Sequence, residues 1–162
     1  DMDDEEIVFT VTTSLAGTFY LSGHVDRMNA HQMALVQSGV EVAKALRSDL
    51  TSHIPWWPKG LASWDDEWIV TGRRKKSSRD GVIIVWHRPS TESTVLDLPD
   101  LAGTHLEPLY PPACLVPDPG IHIADSSSSP RLNCPSPKPT GRVFRVRDLH
   151  DCVTDVAEME KK

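Results

Sequence analysis

The stretch that decides the fold is Trp68-Ile-Val-Thr-Gly-Arg-Arg-Lys-Lys-Ser-Ser-Arg-Asp-Gly-Val-Ile-Ile-Val-Trp-His87. Glu67 to Gly72 reads as one strand and Val82 to His87 as another, because β-branched and aromatic residues fill both. The polar residues from Arg73 to Gly81 read as the connecting loop. Asp80-Gly81 closes it as a strong turn dipeptide. The basic run Arg73-Arg74-Lys75-Lys76 then reads as a solvated hairpin loop rather than as a nuclear signal.

Further short strands follow with turn signals about every ten residues. They are Thr94 to Leu98, stopped by Pro99, then Thr104 to Tyr110, Gly120 to Ile123, and Arg142 to Arg147 with its alternation of basic and apolar side chains. Such spacing predicts an antiparallel sandwich. Residues 125–139, rich in Ser and Pro, hold too little apolar surface to fold alone and read as a long surface loop. Residues 148–162 read as a flexible tail, frayed or forming a short helix.

Upstream of the hairpin the pattern changes. Ile7-Val8-Phe9 and Thr18-Phe19-Tyr20-Leu21 read as short, mostly buried strands, or as one strand after an apolar loop, of the kind a parallel sheet covers on both faces. A helix is predicted from Asn29 to Asp49, with Asn29 or Asp26 as N-cap. Its apolar stripe is Met33, Val36, Val40, Ala43 and Leu46 or Leu50. Gly39 inside it costs up to about 1 kcal/mol relative to alanine. The reading is a strand–loop–helix unit over 1–52, a Trp/Pro-rich joint over 53–66, a sandwich over 67–147 and the tail. A lone strand–helix unit cannot close a core. That, with an opening Asp-Met-Asp-Asp-Glu-Glu, gives the expectation of a piece of a longer protein.

The 162 residues carry a net charge of −6, so attraction to nucleic acid through overall charge is not expected. No apolar run reaches the roughly 20 residues of a membrane span, and the acidic opening lacks the basic start of a signal peptide. Localisation stays open between secreted and cytoplasmic. Cys114, Cys134 and Cys152 are an odd set without a C-x-x-C spacing, which argues against zinc. Cys114 and Cys134 bracket a stretch rich in Pro and Ser, and either pair in an oxidising compartment or stay free.

No nucleophile elbow, H-E-x-x-H or phosphate loop occurs, and the seven His are scattered. Neighbours in a strand point opposite ways, so Asp65-Asp66 read as a cap, turn or ion pair rather than an acid/base pair. Ser22-Gly23-His24-Val25-Asp26-Arg27 form a polar cluster between an apolar stretch and a helix. Either they cap the helix or they line a substrate site at the edge of a barrel. Four Trp stand within His53–Trp68, at 56, 57, 64 and 68. Pro55 and Pro58 stiffen the chain around the first pair. Filling a joint between structural units is favoured over a sugar platform.

Taken in order, "LAGTFYLSGHVDRMNAHQMALVQSGVEVAKALRSDL", "IPWWPKGLASWDDEWIVTGRR", "GVIIVWHRP" and "LEPLYPP" resemble the C-terminal end of the α-galactosidases (melibiases) of glycoside hydrolase family 36. The match runs over about residues 7–112, and the Trp/Pro segment is its most specific part. The resemblance implies an α+β chain: the last strand–loop–helix unit of a (β/α)8 barrel, then a C-terminal antiparallel β-sandwich domain. It implies hydrolysis of terminal α-galactosyl residues with retention, by two aspartates about 5 Å apart. Both belong to earlier barrel strands, and no motif here receives them, so no catalytic residue is assigned. It implies sugar contacts at Ser22, Gly23, His24 and Asp26. Asp26 or His24 would bond galactose hydroxyls and Gly23 would allow close backbone approach. Neither cofactor nor metal is implied. The partner is an α-galactoside bound by the whole enzyme, without nucleic acid or membrane, and a homo-oligomer of the full-length protein stays open. The alternative is a non-catalytic carbohydrate-binding or interaction β-sandwich.

Overall fold

The computed structural model describes residues 2–22, 25–88, 95–118, 120–125 and 128–149. The quoted stretch is a hairpin of β2 (Trp68–Arg74) and β3 (Gly81–His87), with Trp68 opposite His87 and Arg74 opposite Gly81. The loop is shorter than the composition suggested, because Arg73 and Arg74 still pair with Val82 and Gly81. Short β1 (Ile54–Trp56) pairs with the outer side of β2, while β8 (Thr140–Asp148) pairs with the other side of β3. β5 (Thr104–Tyr110) completes a five-stranded antiparallel sheet in the order β1-β2-β3-β8-β5. A second sheet has the order β4-β7-β6, from Val95–Asp97, Arg131–Asn133 and His122–Asp125.

The unbroken apolar run of β3 follows from where it sits. Ile83 and Val85 join Trp68, Val70, Phe144 and Val146 against Leu96, Leu132 and Ile121 of the small-sheet side. Val82 and Ile84 face the other way, into a second core with Val143, Tyr110 and the helices. A strand alternates faces, so one covered on both sides needs apolar residues throughout. Here that occurs in an antiparallel sheet, with helices on one face and strands on the other.

The helical layer departs from the expected strand–loop–helix order. Ile7-Val8-Phe9 lie in α1 (Asp4–Leu15), not in a strand. The start signal is a capping box: Asp3 accepts from the Glu6 amide at 3.0 Å, and the Glu6 carboxylate accepts from the Asp3 amide at 2.8 Å. The buried residues Ile7, Val8, Val11 and Leu15 follow a helical stripe. Thr10, Thr13 and Ser14, which weighed toward strand by composition, return their hydroxyls to carbonyls four residues back. Thr18 to Leu21 lie outside any strand, with Tyr20 72% and Leu21 50% exposed.

α2 (Ala30–Ala45) has the predicted cap: Asn29 accepts from the Gln32 amide at 2.9 Å. It ends four residues earlier than expected, and after a turn α3 (Asp49–Ser52) follows. Leu35, Val36 and Gly39 are the buried positions of α2, while Met33 sits at its edge, 36% exposed. Gly39 gives the crossing helix room: a Cβ there would fall on the Val11 side chain of α1. The helix-propensity cost of this glycine is thus the condition for α1 and α2 to pack closely.

Two ties fix α1 to the sheet. The Arg142 guanidinium of β8 donates to both Glu5 oxygens, at 2.6 and 2.9 Å. The Trp86 indole donates to Thr13 Oγ1 at 3.2 Å. The Tyr110 hydroxyl donates to the Leu35 carbonyl of α2 at 3.2 Å.

The Ser/Pro-rich 125–139 segment is more than a surface loop. Its residues 131–133 are β7, the central strand of the small sheet, and Leu132 and Cys134 are fully buried. The strand holds one apolar residue, Leu132, with Cys134 just beyond its end, a signal too short to stand out among the Ser and Pro around it. Cys134 is free and buried, and Cys114 is free and exposed. Cys152 and the tail from 150 lie outside the described residues, while residues 140–148 make one continuous strand.

Asp80 locks the hairpin loop. It accepts from the Asp148 amide at 2.7 Å and from Lys75 Nζ at 2.9 Å. Burial pushes its carboxyl upward, but the Asp148 amide and Lys75 outweigh that and hold it below the ordinary 3.8. A depressed carboxyl contributes stability that is present above its unfolded value and lost as pH falls through the folded one. In urea titrations the stability gap between the native chain and Asp80→Asn is therefore expected to be widest near neutral pH and to narrow below about pH 4. A gap that stayed constant with pH would show that the carboxylate charge plays no part.

Candidate functional site

Two of the depressions among the described residues bear on the site. The first contains the positions expected from the sequence. Ser22 is exposed and lines a groove of about 420 Å³ between α1 and the segment after it, together with Thr10, Thr13, Ser14 and Tyr20. Asp26 stands in a single 3-10 turn, Val25–Arg27, and is exposed. Gly23 and His24 lie outside the described residues. Ser22 and Asp26 thus flank the entry to α2, capped by Asn29 rather than by Asp26.

The second region was not anticipated. It is a cleft of about 280 Å³ where the ends of α1 and α2 meet the β1–β2 edge of the sheet. Leu15 and Leu46 form the helical wall, and Val82 and Ile84 the sheet wall. Four functional side chains stand around it: Asp49, His53, Trp57 and Arg73. Asp49 opens α3 and His53 caps its end, so the two are one helical turn apart on one face. Trp57 follows β1, while Arg73 lies in β2 opposite Pro55.

His53 Nδ1 is occluded and makes no hydrogen bond. The nearest carboxylate oxygen, Asp49 Oδ2, is 4.0 Å away, beyond hydrogen-bond reach.

The Trp segment divides its indoles. Trp68 is buried in the sandwich, its ring 4.4 Å from that of His87. Trp56 packs against the same core, and Arg74 lies 5.8 Å over its ring. Trp57 is 46% and Trp64 86% exposed, while Trp56 and Trp68 pack between the two sheets, so none of the four fills a joint between the helices and the sheet as expected. The cause is local. β1 sends consecutive residues to opposite faces, and Trp64 sits on a turn held by Asp66, which accepts from the Ser63 amide at 3.0 Å and from Lys59 Nζ at 3.4 Å. Asp66 is thus a turn and ion-pair residue, and the Ser63 amide first, then Lys59, holds its carboxyl below the ordinary range.

Among the described residues no group of three or more His, Cys, Asp or Glu is placed to hold a metal ion. None of their helices is long and apolar enough to cross a membrane. No family model, curated protein or solved structure matches the chain.

Proposed function

We propose that the chain is the C-terminal part of an α-galactosidase similar to glycoside hydrolase family 36. It would supply the last loop of the catalytic barrel and the accessory β-domain, while the catalytic aspartates stand upstream. The observation that carries the reading is the ordered set of motifs, Ser22-Gly23-His24-Val25-Asp26-Arg27, then Ile54-Pro55-Trp56-Trp57-Pro58, then Val85-Trp86-His87-Arg88. Their placement supports it. Of the first set, Ser22 and Val25 to Arg27 stand ahead of α2; the second set stands at the passage from α3 into the sheet, and the third at the end of β3.

In this reading Ser22, Gly23, His24 and Asp26 border the sugar. Asp26 or His24 accepts or donates hydrogen bonds to galactose hydroxyls, and Gly23 lets the backbone approach.

The test uses the protein expressed with its upstream coding sequence, assayed on an aryl α-galactoside. Asp26→Ala is expected to lower kcat/KM about 10- to 100-fold, the loss of a charged hydrogen bond to substrate. Residues 1–162 alone are expected to show no turnover. Turnover by residues 1–162 alone, or a longer protein inert toward α-galactosides, would sink the reading.

A further inference from the structure

We propose that the cleft bordered by Asp49, His53, Trp57 and Arg73 binds a single neutral hexopyranoside. It is separate from the Ser22–Asp26 loop and does not rest on the enzyme reading. At about 280 Å³ the cleft is at the small end of ligand sites, large enough for one sugar ring and too small for a chain of them.

The side chains suit the two faces of a pyranose. The ring's C–H face needs a flat apolar surface, and the Trp57 indole, 46% exposed at the cleft, offers one. Leu15, Leu46, Val82 and Ile84 extend that apolar lining inward. The hydroxyls need acceptors and donors at fixed positions. Asp49 supplies a carboxylate that accepts from two neighbouring hydroxyls, Arg73 supplies a donor fork, and His53 supplies an imidazole nitrogen.

Two observations narrow the ligand class. Asp49 and Arg73 bring one negative and one positive charge to the same cleft, a balance that favours an uncharged polyol over an acid or an amine. His53 is nine-tenths buried and Asp49 about four-fifths, yet they stop 4.0 Å apart and leave Nδ1 unbonded. An occluded polar atom without a partner is costly. A hydroxyl that bonds Asp49 and draws it onto the imidazole removes that cost, so ligand binding and closure of the Asp49–His53 pair favour each other.

The experiment follows the indole resonances of the 162-residue chain during titration with methyl α-galactoside, methyl α-glucoside and methyl α-mannoside. For a ligand of about a dozen heavy atoms, the Trp57 indole is expected to shift saturably with Kd about 1 mM for at least one of them. Calorimetric titration, which needs no indole reporter, should find binding lost in Trp57→Ala and weakened about tenfold in His53→Gln, the remaining indole resonances reporting that each variant is folded. Trp64→Ala, at the more exposed indole, should leave it unchanged. The proposal is overturned if none of the three sugars gives a saturable shift. It is equally overturned if the calorimetric binding survives Trp57→Ala, or if only a charged sugar such as a glucuronide binds. A positive titration beside a longer protein inert toward α-galactosides would uphold this site and reject the enzyme reading.

Discussion

Gly81→Ala is expected to cost about 3 kcal/mol of folding stability, at the upper end of what one added methyl costs in a packed core. Gly81 opens β3 opposite Arg74 in the central hairpin, with a backbone that never turns left-handed. Its role is space: a Cβ there would fall on the carbonyl oxygen of Arg73. A carbonyl oxygen of a paired strand cannot step aside as a side chain can. Relief requires the strands to part at Arg73 and Arg74, which breaks the ladder that carries the shared wall of both cores. Gly17→Ala is the control, since nothing stands within 4 Å of the Cβ it would add. It is expected to change stability by less than about 0.5 kcal/mol. Urea unfolding of the two variants measures both, and equal effects would show that close strand approach is not what Gly81 supplies.

The second large effect is expected from Glu5→Ala. The Arg142 side chain is 3% exposed, and its guanidinium meets Glu5 through two parallel hydrogen bonds. Removing the carboxylate leaves a buried cation without its main anion, for which about 3 kcal/mol is the ordinary cost. The bond from Arg142 to the Gly141 carbonyl, 2.7 Å, remains and does not replace that charge. Replacing both residues together, Glu5→Leu with Arg142→Met, is expected to cost about 1 kcal/mol or less, because the desolvation of both charges disappears with them. A double-mutant cycle reads the coupling directly. If Glu5→Ala alone unfolded at the same urea concentration as the native chain, the pair would be ornamental to the fold.

The hairpin was legible because its determinants are local and repeated: five consecutive apolar residues from Val82 to Trp86, matched by Trp68 to Val70 across a polar loop. The cap at Asn29 was legible for the same reason. α1 was misread because Ile, Val and Thr favour strands by composition, while the deciding signal was a pair of residues, Asp3 and Glu6, ahead of the apolar run. β7 hid because three residues carry too little pattern. The cleft was beyond reach on other grounds. Asp49 and His53 are a visible helical pair, but Arg73 stands 20 positions on from His53, brought alongside by the β1–β2 pairing. Leu15 arrives from the end of α1, well before Asp49 in the chain. Chemistry assembled by tertiary contact leaves no spacing to read.

β3 lies between two cores, with Ile83 and Val85 in one and Val82 and Ile84 in the other. Two layers that lean on one strand cannot melt independently: loosening the helices strips one side of β3, and loosening the small sheet strips the other. Cooperativity in this molecule therefore has an address. The amides of β3 and of its neighbour β8 are the ones whose hydrogen exchange must wait for the whole chain to open.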